Sequence, residues 1–169
     1  MKDNTVLTPH FKLREFTEST TAKKHGIANV PPPEAVENLQ RLCTHTLEPL
    51  REKLGLPIII TSGFRCQQLN EIIVHASRKS QHMSGQAADF YVAQGPVQGS
   101  RVQGSRELLI QAFRLIITEP EIDFDQLIIY PTFIHVSYVS REKNRHQLTR
   151  ASSNGAYTAL SRAQALALV

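Results

Sequence analysis

At 169 residues and 41% hydrophobic content, the chain can bury one substantial core, and a single domain over residues 1–169 is expected. A net charge of +4 is too modest to select a polyanionic partner, and two cysteines, Cys43 and Cys66, exclude a dense disulfide framework; two free thiols are expected, with one bridge as the lesser alternative. No run approaches the roughly 18 apolar residues of a membrane span, and Met1-Lys-Asp-Asn-Thr-Val6 lacks the apolar core of a signal peptide, so a soluble chain made in the cytoplasm, without a membrane partner, is expected.

In chain order, Thr8-Pro9 can cap a short helix through Leu13-Arg-Glu-Phe16, anchored by Leu7, Phe11 and Phe16. Residues 17–30 are polar and read as surface cover; His10 and His25 have no second ligand at useful spacing and read as surface histidines. Pro31-Pro32-Pro33 is a hard stop, after which Glu34-Ala-Val-Glu37 opens a helix with acids in its first turn. Val36, Leu39, Leu42, Cys43, Leu47, Leu50 and Leu54 recur mostly three or four residues apart. This spacing predicts an amphipathic helix that ends at Gly55, is kinked at Pro49 and carries His45 near its polar side.

Pro57-Ile-Ile-Ile60-Thr61 is a β-branched strand running straight into Ser62-Gly63-Phe64-Arg65. An arginine at a strand end can grip a carboxylate, steady an oxyanion, or form a salt bridge to a nearby acid. A short helix over 66–74 leads to His75, read as a loop residue, and to Arg78 and Lys79, which could attract an anionic peptide or be plain solvated charge.

The stretch Ser80-Gln-His82-Met-Ser-Gly85-Gln-Ala87-Ala-Asp89-Phe90 then places a histidine and an aspartate either side of a glycine turn. In a strand over Ala87–Val92, Asp89 shares a face with Ala87 and Tyr91, and the small Ala87 leaves room beside the carboxylate. Such a pair is either hydrogen-bonded or half of a metal site; a hydrolytic zinc takes three protein ligands and keeps a fourth position open. Val-Gln-Gly-Ser-Arg next occurs twice in tandem, at 97–101 and 102–106, which reads as a surface loop expanded by duplication, with a lid as the lesser alternative. Ser105 caps a helix whose apolar residues should back the sheet.

Phe124–Tyr130 and Phe133–Tyr138 look like two strands joined by Pro131-Thr132. With a two-residue turn, Tyr130 faces Phe133 and Ile128 faces His135, so Gln126 and Tyr130 share the His135 face and Asp125 lies on the other. From residue 141 onwards the chain is basic and polar, then rich in alanine and leucine, and reads as a surface extension with a short terminal helix and an exposed His146.

Ser80-x-His82-x-x-Gly85-x-Ala87-x-Asp89, with Ser62-Gly-Phe-Arg65 before it and Phe133-Ile-His135-Val-Ser137 after it, resembles the D-alanyl-D-alanine carboxypeptidase family of zinc metallopeptidases. That family includes carboxypeptidases, dipeptidases and phage endolysins that cut peptidoglycan stem peptides. Leu13-Arg-Glu-Phe16 and Phe124-Asp-Gln-Leu127 also look like its framework. The resemblance implies an α+β fold with a small, largely antiparallel sheet packed against helices, as in hedgehog and D-Ala-D-Ala peptidase-like zinc peptidases. It further implies one Zn²⁺ held by His82, Asp89 and His135, an Arg65 that serves the substrate, and a Ser80 that contacts it; the alternative for Ser80 is a hydroxyl tying down its own loop.

The family commonly has a glutamate or aspartate a few residues ahead of the last histidine as general base, whereas here Tyr130, Pro131 and Thr132 supply no carboxylate. A positioned acid-base group is worth roughly 10² to 10⁴ in rate. Tyr130 could bond the attacking water or the oxyanion, or simply pack on its strand, and Glu71, Glu121 or Asp123 could reach in from a loop. The implied function is therefore a zinc peptidase acting on peptidoglycan peptides, with a non-catalytic zinc-binding recognition module that has lost its base as the alternative. A monomer is expected. Nucleic acid is disfavoured as a partner because no helix is studded with Lys and Arg. A chain of this kind fits a phage or prophage product released to the cell wall, and equally a cytoplasmic peptide-recycling enzyme.

Overall fold

The computed structural model describes residues 4–74, 76–94 and 104–168. Thr8 and Pro9 do not cap a helix: they end β1 (Val6–Thr8) and turn into β2 (Phe11–Lys12), because the extended Val6 pairs with Lys12. Helix α1 (Leu13–Thr17) starts directly from this hairpin, with the Lys12 amide donating to the Glu15 carboxylate at 2.8 Å. The stretch read as polar cover contains α2 (Thr20–Lys24), opened by the Ser19 hydroxyl accepting from the Ala22 amide.

The long amphipathic stretch is split rather than bent. Helices α3 (Pro33–Leu42) and α4 (Glu48–Leu54) are joined by a wide π-helical turn over Cys43–Leu47, in which the Glu48 amide reaches back to the Cys43 carbonyl. Pro49 explains the turn, since its ring would collide with the carbonyl four residues back. That carbonyl belongs to His45, and it is turned out to accept the Asp123 amide at 3.0 Å. Gly55 then ends α4 in the left-handed conformation at φ +62°.

Six strands form the larger sheet: β3 (Ile58–Ser62), β4 (Ala87–Val92), β5 (Gln126–Ile129), β6 (Ile134–Ser137), β7 (Gln147–Ala151) and β8 (Tyr157–Ala159), in the order β3-β4-β6-β5-β7-β8. All neighbours run antiparallel except β5 and β7. The expected α+β architecture is therefore present, with one parallel pair in a largely antiparallel sheet. The segment after residue 141 is not the surface extension its composition suggests, because β7 and β8 complete the sheet and the expected terminal helix, α7 (Arg162–Leu166), packs on α6 (Arg106–Thr118). Leu148, Ala151 and Ala165 supply the apolar anchors that its basic composition hides.

Helix α6 packs across β4 and β5 and against α4, and the face it covers carries Ala88, Phe90, Leu127, Ile129, Ile134 and Val136. The alternate residues Ala87, Asp89, Ile128 and His135 point to the other side. Every residue of β4 is buried, so the strand that carries Asp89 is covered on both faces. The two thiols are free, Cys43 buried in the core and Cys66 half-buried, and burial pushes the Cys43 thiol up. Among the described residues no helix is long and apolar enough to cross a membrane. His75 and residues 97–103 of the tandem repeat lie outside the described residues.

Gly85 closes the 3-10 turn Gln81–Ser84 at φ +72°, and a β-carbon there would sit 2.3 Å from the Ala35 carbonyl oxygen of α3. Both the conformation and the space require glycine. Gly85→Ala is expected to cost more than about 1 kcal/mol, read as a lower urea midpoint at unchanged slope; an unshifted midpoint would mean that α3 gives way freely.

Candidate metal centre

Strand register builds the site. Asp89 on β4 pairs with His135 on β6, and Ser62 at the end of β3 pairs with Asp89 from the other side, after an irregularity between Ile60 and Ser62. Opposed residues of an antiparallel pair bring their side chains together on one face, and the Asp89 Oδ1 to His135 Nδ1 distance is 2.8 Å. His82 enters from the 3-10 turn before β4, its Nε2 lying 3.3 Å from both Asp89 Oδ1 and His135 Nδ1.

The partners of these groups decide what they can do. A carbonyl oxygen only accepts, so the 2.7 Å contact between His82 Nδ1 and the Gly63 carbonyl puts the proton on Nδ1 and leaves Nε2 a bare lone pair in the neutral ring. Burial lowers the His82 pKa and so favours that neutral ring. Nε2 therefore points at a carboxylate oxygen and a second imidazole nitrogen. One proton on His135 Nδ1 could serve only one of these neighbours, whereas a cation between them would serve all three donors. For bonds of about 2.0 to 2.2 Å, the edge of a tetrahedron is roughly 3.3 to 3.6 Å, which two sides of the observed triangle meet at its lower end and the third, at 2.8 Å, undercuts. The donor set of two imidazoles and one carboxylate also suits zinc.

Around this triangle the chain supplies orienting bonds of the kind that hold metal ligands in place. Gly63, whose carbonyl fixes the His82 tautomer, must lack a side chain, since a β-carbon would lie 2.5 Å from the Phe16 carbonyl oxygen. The next amide, of Phe64, donates to that same oxygen at 2.7 Å. Arg65 Nη2 donates to Asp89 Oδ2 at 3.0 Å and its Nε to Ser62 Oγ at 2.9 Å, so the nearby acid foreseen as its salt-bridge partner is Asp89 itself. Burial would raise the Asp89 pKa, but the histidines beside it hold the carboxyl below the usual carboxylate range, through the 2.8 Å His135 Nδ1 contact where the His82 ring is neutral.

The three donors open into a cleft of about 880 Å³ that also exposes Arg65, Ser80 and Tyr130. The Ser80 hydroxyl makes no hydrogen bond among the described residues. Tyr130 stacks on Phe133, with ring centroids 4.1 Å apart, and its hydroxyl meets that of Tyr157 from β8 at 3.0 Å. Burial and Tyr157 push the Tyr130 hydroxyl well above its ordinary pKa. The foreseen register is correct, with Ile128 opposite His135 and the Tyr130 amide donating to the Phe133 carbonyl at 2.9 Å. Arg106 Nη1 also donates to the Tyr130 carbonyl at 2.9 Å, a contact no motif announced.

Asp125 is a correction. It precedes β5, outside the alternation, and its carboxylate lines the cleft instead of facing away. Gln81 Nε2 donates to Oδ2 at 2.9 Å, Ser137 Oγ at 3.3 Å, and Arg145 donates its backbone amide and Nε to Oδ1 and Nη2 to Oδ2. The carboxyl resists desolvation through these bonds, Arg145 foremost, and its pKa is lowered to about 2. Arg145 and Tyr157 escaped notice because they lie in a stretch whose composition suggests only a tail. Glu71, Glu121 and Asp123 do not reach in: they are engaged with Gln67, Lys53 and His146.

A family model described as Peptidase M15 matches residues 9–112, more than half of the chain. The chain belongs to the Peptidase M15 family. M15 peptidases are metallopeptidases, among them D-Ala-D-Ala carboxypeptidases, and membership supports a metallopeptidase-type function. The matched span contains His82 and Asp89; His135 lies beyond it, and it is the β4–β6 register that adds this third donor to the M15 pair. No curated protein matches the sequence.

Since the native Asp125 pKa lies near 2 and an unfolded aspartate titrates near 3.9, its stabilisation is complete above about pH 4 and is lost as pH falls towards 2. Asp125→Asn is expected to lower stability by about 1 to 2 kcal/mol at neutral pH, discounted for the solvent around Arg145, with the gap closing on acidification. A gap independent of pH, in thermal melts across this range, would show that the Asp125 charge is not its source.

Proposed function

We propose that this M15 chain is a zinc-dependent peptidase that hydrolyses peptidoglycan stem peptides at the D-Ala-D-Ala or a related bond. The observation that carries the metal is the convergence of His82 Nε2, His135 Nδ1 and Asp89 Oδ1, with the His82 tautomer held by Gly63. The substrate class rests on the family and on the ordered motifs from Ser62 to Ser137. Zinc held by these three side chains would supply Lewis acidity to a peptide carbonyl and to water.

The chain's own part is positioning. Arg65 braces Asp89 through Nη2, which leaves its Nη1 amino group, unbonded among the described residues, to take a substrate carboxylate or a developing oxyanion. Ser80 lines the same cleft, its hydroxyl unbonded among the described residues. Tyr130, with its raised pKa, is a donor at neutral pH and not a base, so its contribution is a hydrogen bond to negative charge rather than removal of a proton.

One observation favours a second reading, a zinc-binding recognition module without turnover. Among the described residues, the carboxylates lining the cleft are Asp89, which is a donor of the triangle, and Asp125, which Arg145 occupies. Neither is free to act as base.

Mass spectrometry of peptidoglycan and stem peptides incubated with zinc-loaded protein separates the two, with Asp89→Ala as the blank. New fragments absent from the blank are expected. Zinc bound, peptide retained and no fragment would establish the recognition module, and stoichiometric zinc in Asp89→Ala would defeat the ligand assignment. Tyr130→Phe is expected to keep its zinc and lose about tenfold or more in turnover; an unchanged rate would reduce Tyr130 to packing against Phe133.

A further inference from the structure

Apart from a cation held by the three donors, the charged side chains lining the cleft among the described residues pair off except for two lysines. Arg65 is bonded to Asp89 and Arg145 to Asp125, so neither ion pair leaves a net charge. Lys79 and Lys143 line the same cleft and have no ion-pair partner among the described residues. The acid next to Lys143 in sequence, Glu142, feels the charges of Arg141 and Lys143, but it accepts from the Ser140 hydroxyl at 2.8 Å and does not line the cleft.

These lysines come from segments far apart in the chain, and a specific link joins them. Lys79 lies two residues before Gln81, and Lys143 two residues before Arg145. Gln81 donates to Asp125 at 2.9 Å, Asp125 accepts the Arg145 amide at 2.9 Å and its Nε at 2.8 Å, and Arg145 Nη2 approaches Gln81 Oε1 at 3.4 Å. The buried Asp125 thus ties the Ser77–Gln81 loop to the Ser140–Arg145 turn, and both lysines line one cleft.

We infer that Lys79 and Lys143 form a second anion subsite, which binds a carboxylate of the substrate peptide other than the one served by Arg65. This rests on the peptidase reading and adds a specificity to it: the preferred ligand is a peptide with a free internal carboxylate. Internal amidation, which removes that charge, weakens binding. Both lysines are exposed, so each contact contributes little and is screened by salt. The preference is therefore set by the pair together.

The test uses zinc-loaded full-length protein and two synthetic stem pentapeptides, L-Ala-D-Glu-L-Lys-D-Ala-D-Ala and its counterpart with the D-Glu α-carboxylate amidated. Calorimetric Kd values, or KM values where a peptide is cut, are measured at low salt and in concentrated sodium chloride, for the wild type and for Lys79→Gln/Lys143→Gln. The wild type is expected to prefer the free carboxylate by about tenfold at low salt. The preference is expected to collapse both in concentrated salt and in the double variant, which should keep its zinc and its melting temperature. Equal affinity of the wild type for both peptides, or a preference that survives in the double variant, overturns the inference alone. Failure to bind either peptide with zinc in place overturns the peptide reading and the inference with it.

Discussion

Three electron-pair donors pressed into mutual contact are the constraint on which this structure turns. His82 Nε2, His135 Nδ1 and Asp89 Oδ1 lie about as far apart as the corners of a metal's coordination sphere, and the Gly63 carbonyl removes the proton that could have bridged His82 to its neighbours. Buried acceptors that face one another cost free energy unless something positive joins them. The surrounding fold holds this arrangement from three directions. The β4–β6 register sets Asp89 opposite His135, Gly85 turns the chain so that His82 arrives on the same face, and α1 presses against Gly63 so closely that no side chain fits.

A second layer of charge is built on the first. Arg65 spends one amino group on Asp89, which compensates the buried charge and fixes which of its oxygens faces the histidines. Arg145 does the same for Asp125, a wholly buried carboxylate that joins the loop before His82 to the turn after β6. Buried ion pairs are costly to break because the survivor is left uncompensated. Asp125 is therefore better understood as the joint between two cleft walls than as an acid available for chemistry.

The sequence carried the site more clearly than the fold around it. His82 and Asp89 stand out as a pair because a glycine turn and a strand of alternating faces tie them together, and a two-residue turn dictates the hairpin register that carries His135; His135 as a third ligand and Arg65 as a site residue were implied by the family resemblance. Elements that depend on distant partners were not legible. Pro49 was expected to kink a helix, but whether that becomes a bend or a π-helical turn depends on Asp123 reaching the His45 carbonyl from across the chain. Thr8-Pro9 has the chemistry of a helix cap and was taken into a hairpin by the pairing of Val6 with Lys12. The C-terminal stretch looked like a tail because β8 buries none of its side chains, the buried residues of β7 are set among polar and basic ones, and both strands owe their place to the β5 edge.

That misread tail bears on the chemistry. The register puts residue 130 on the His135 face, one alternation beyond Ile128, where a short acidic side chain could serve as a base towards the metal. Tyrosine fills this position with a ring stacked on Phe133, and β8 supplies Tyr157 to meet its hydroxyl. Such a group gives up its proton only far above neutral pH, so it can stabilise negative charge but cannot create the nucleophile. In a peptidase built this way, a metal held by the three donors would have to supply the activation of water, while Tyr130 and Arg65 would be placed to hold the oxyanion. A recognition module would keep the same donors for a different end, since a hydroxyl and a guanidinium that stabilise a transition state also hold a ground-state carboxylate. The two outcomes share one architecture and would differ only in whether the bound peptide presents its carbonyl or its carboxylate to a cation held by the three donors.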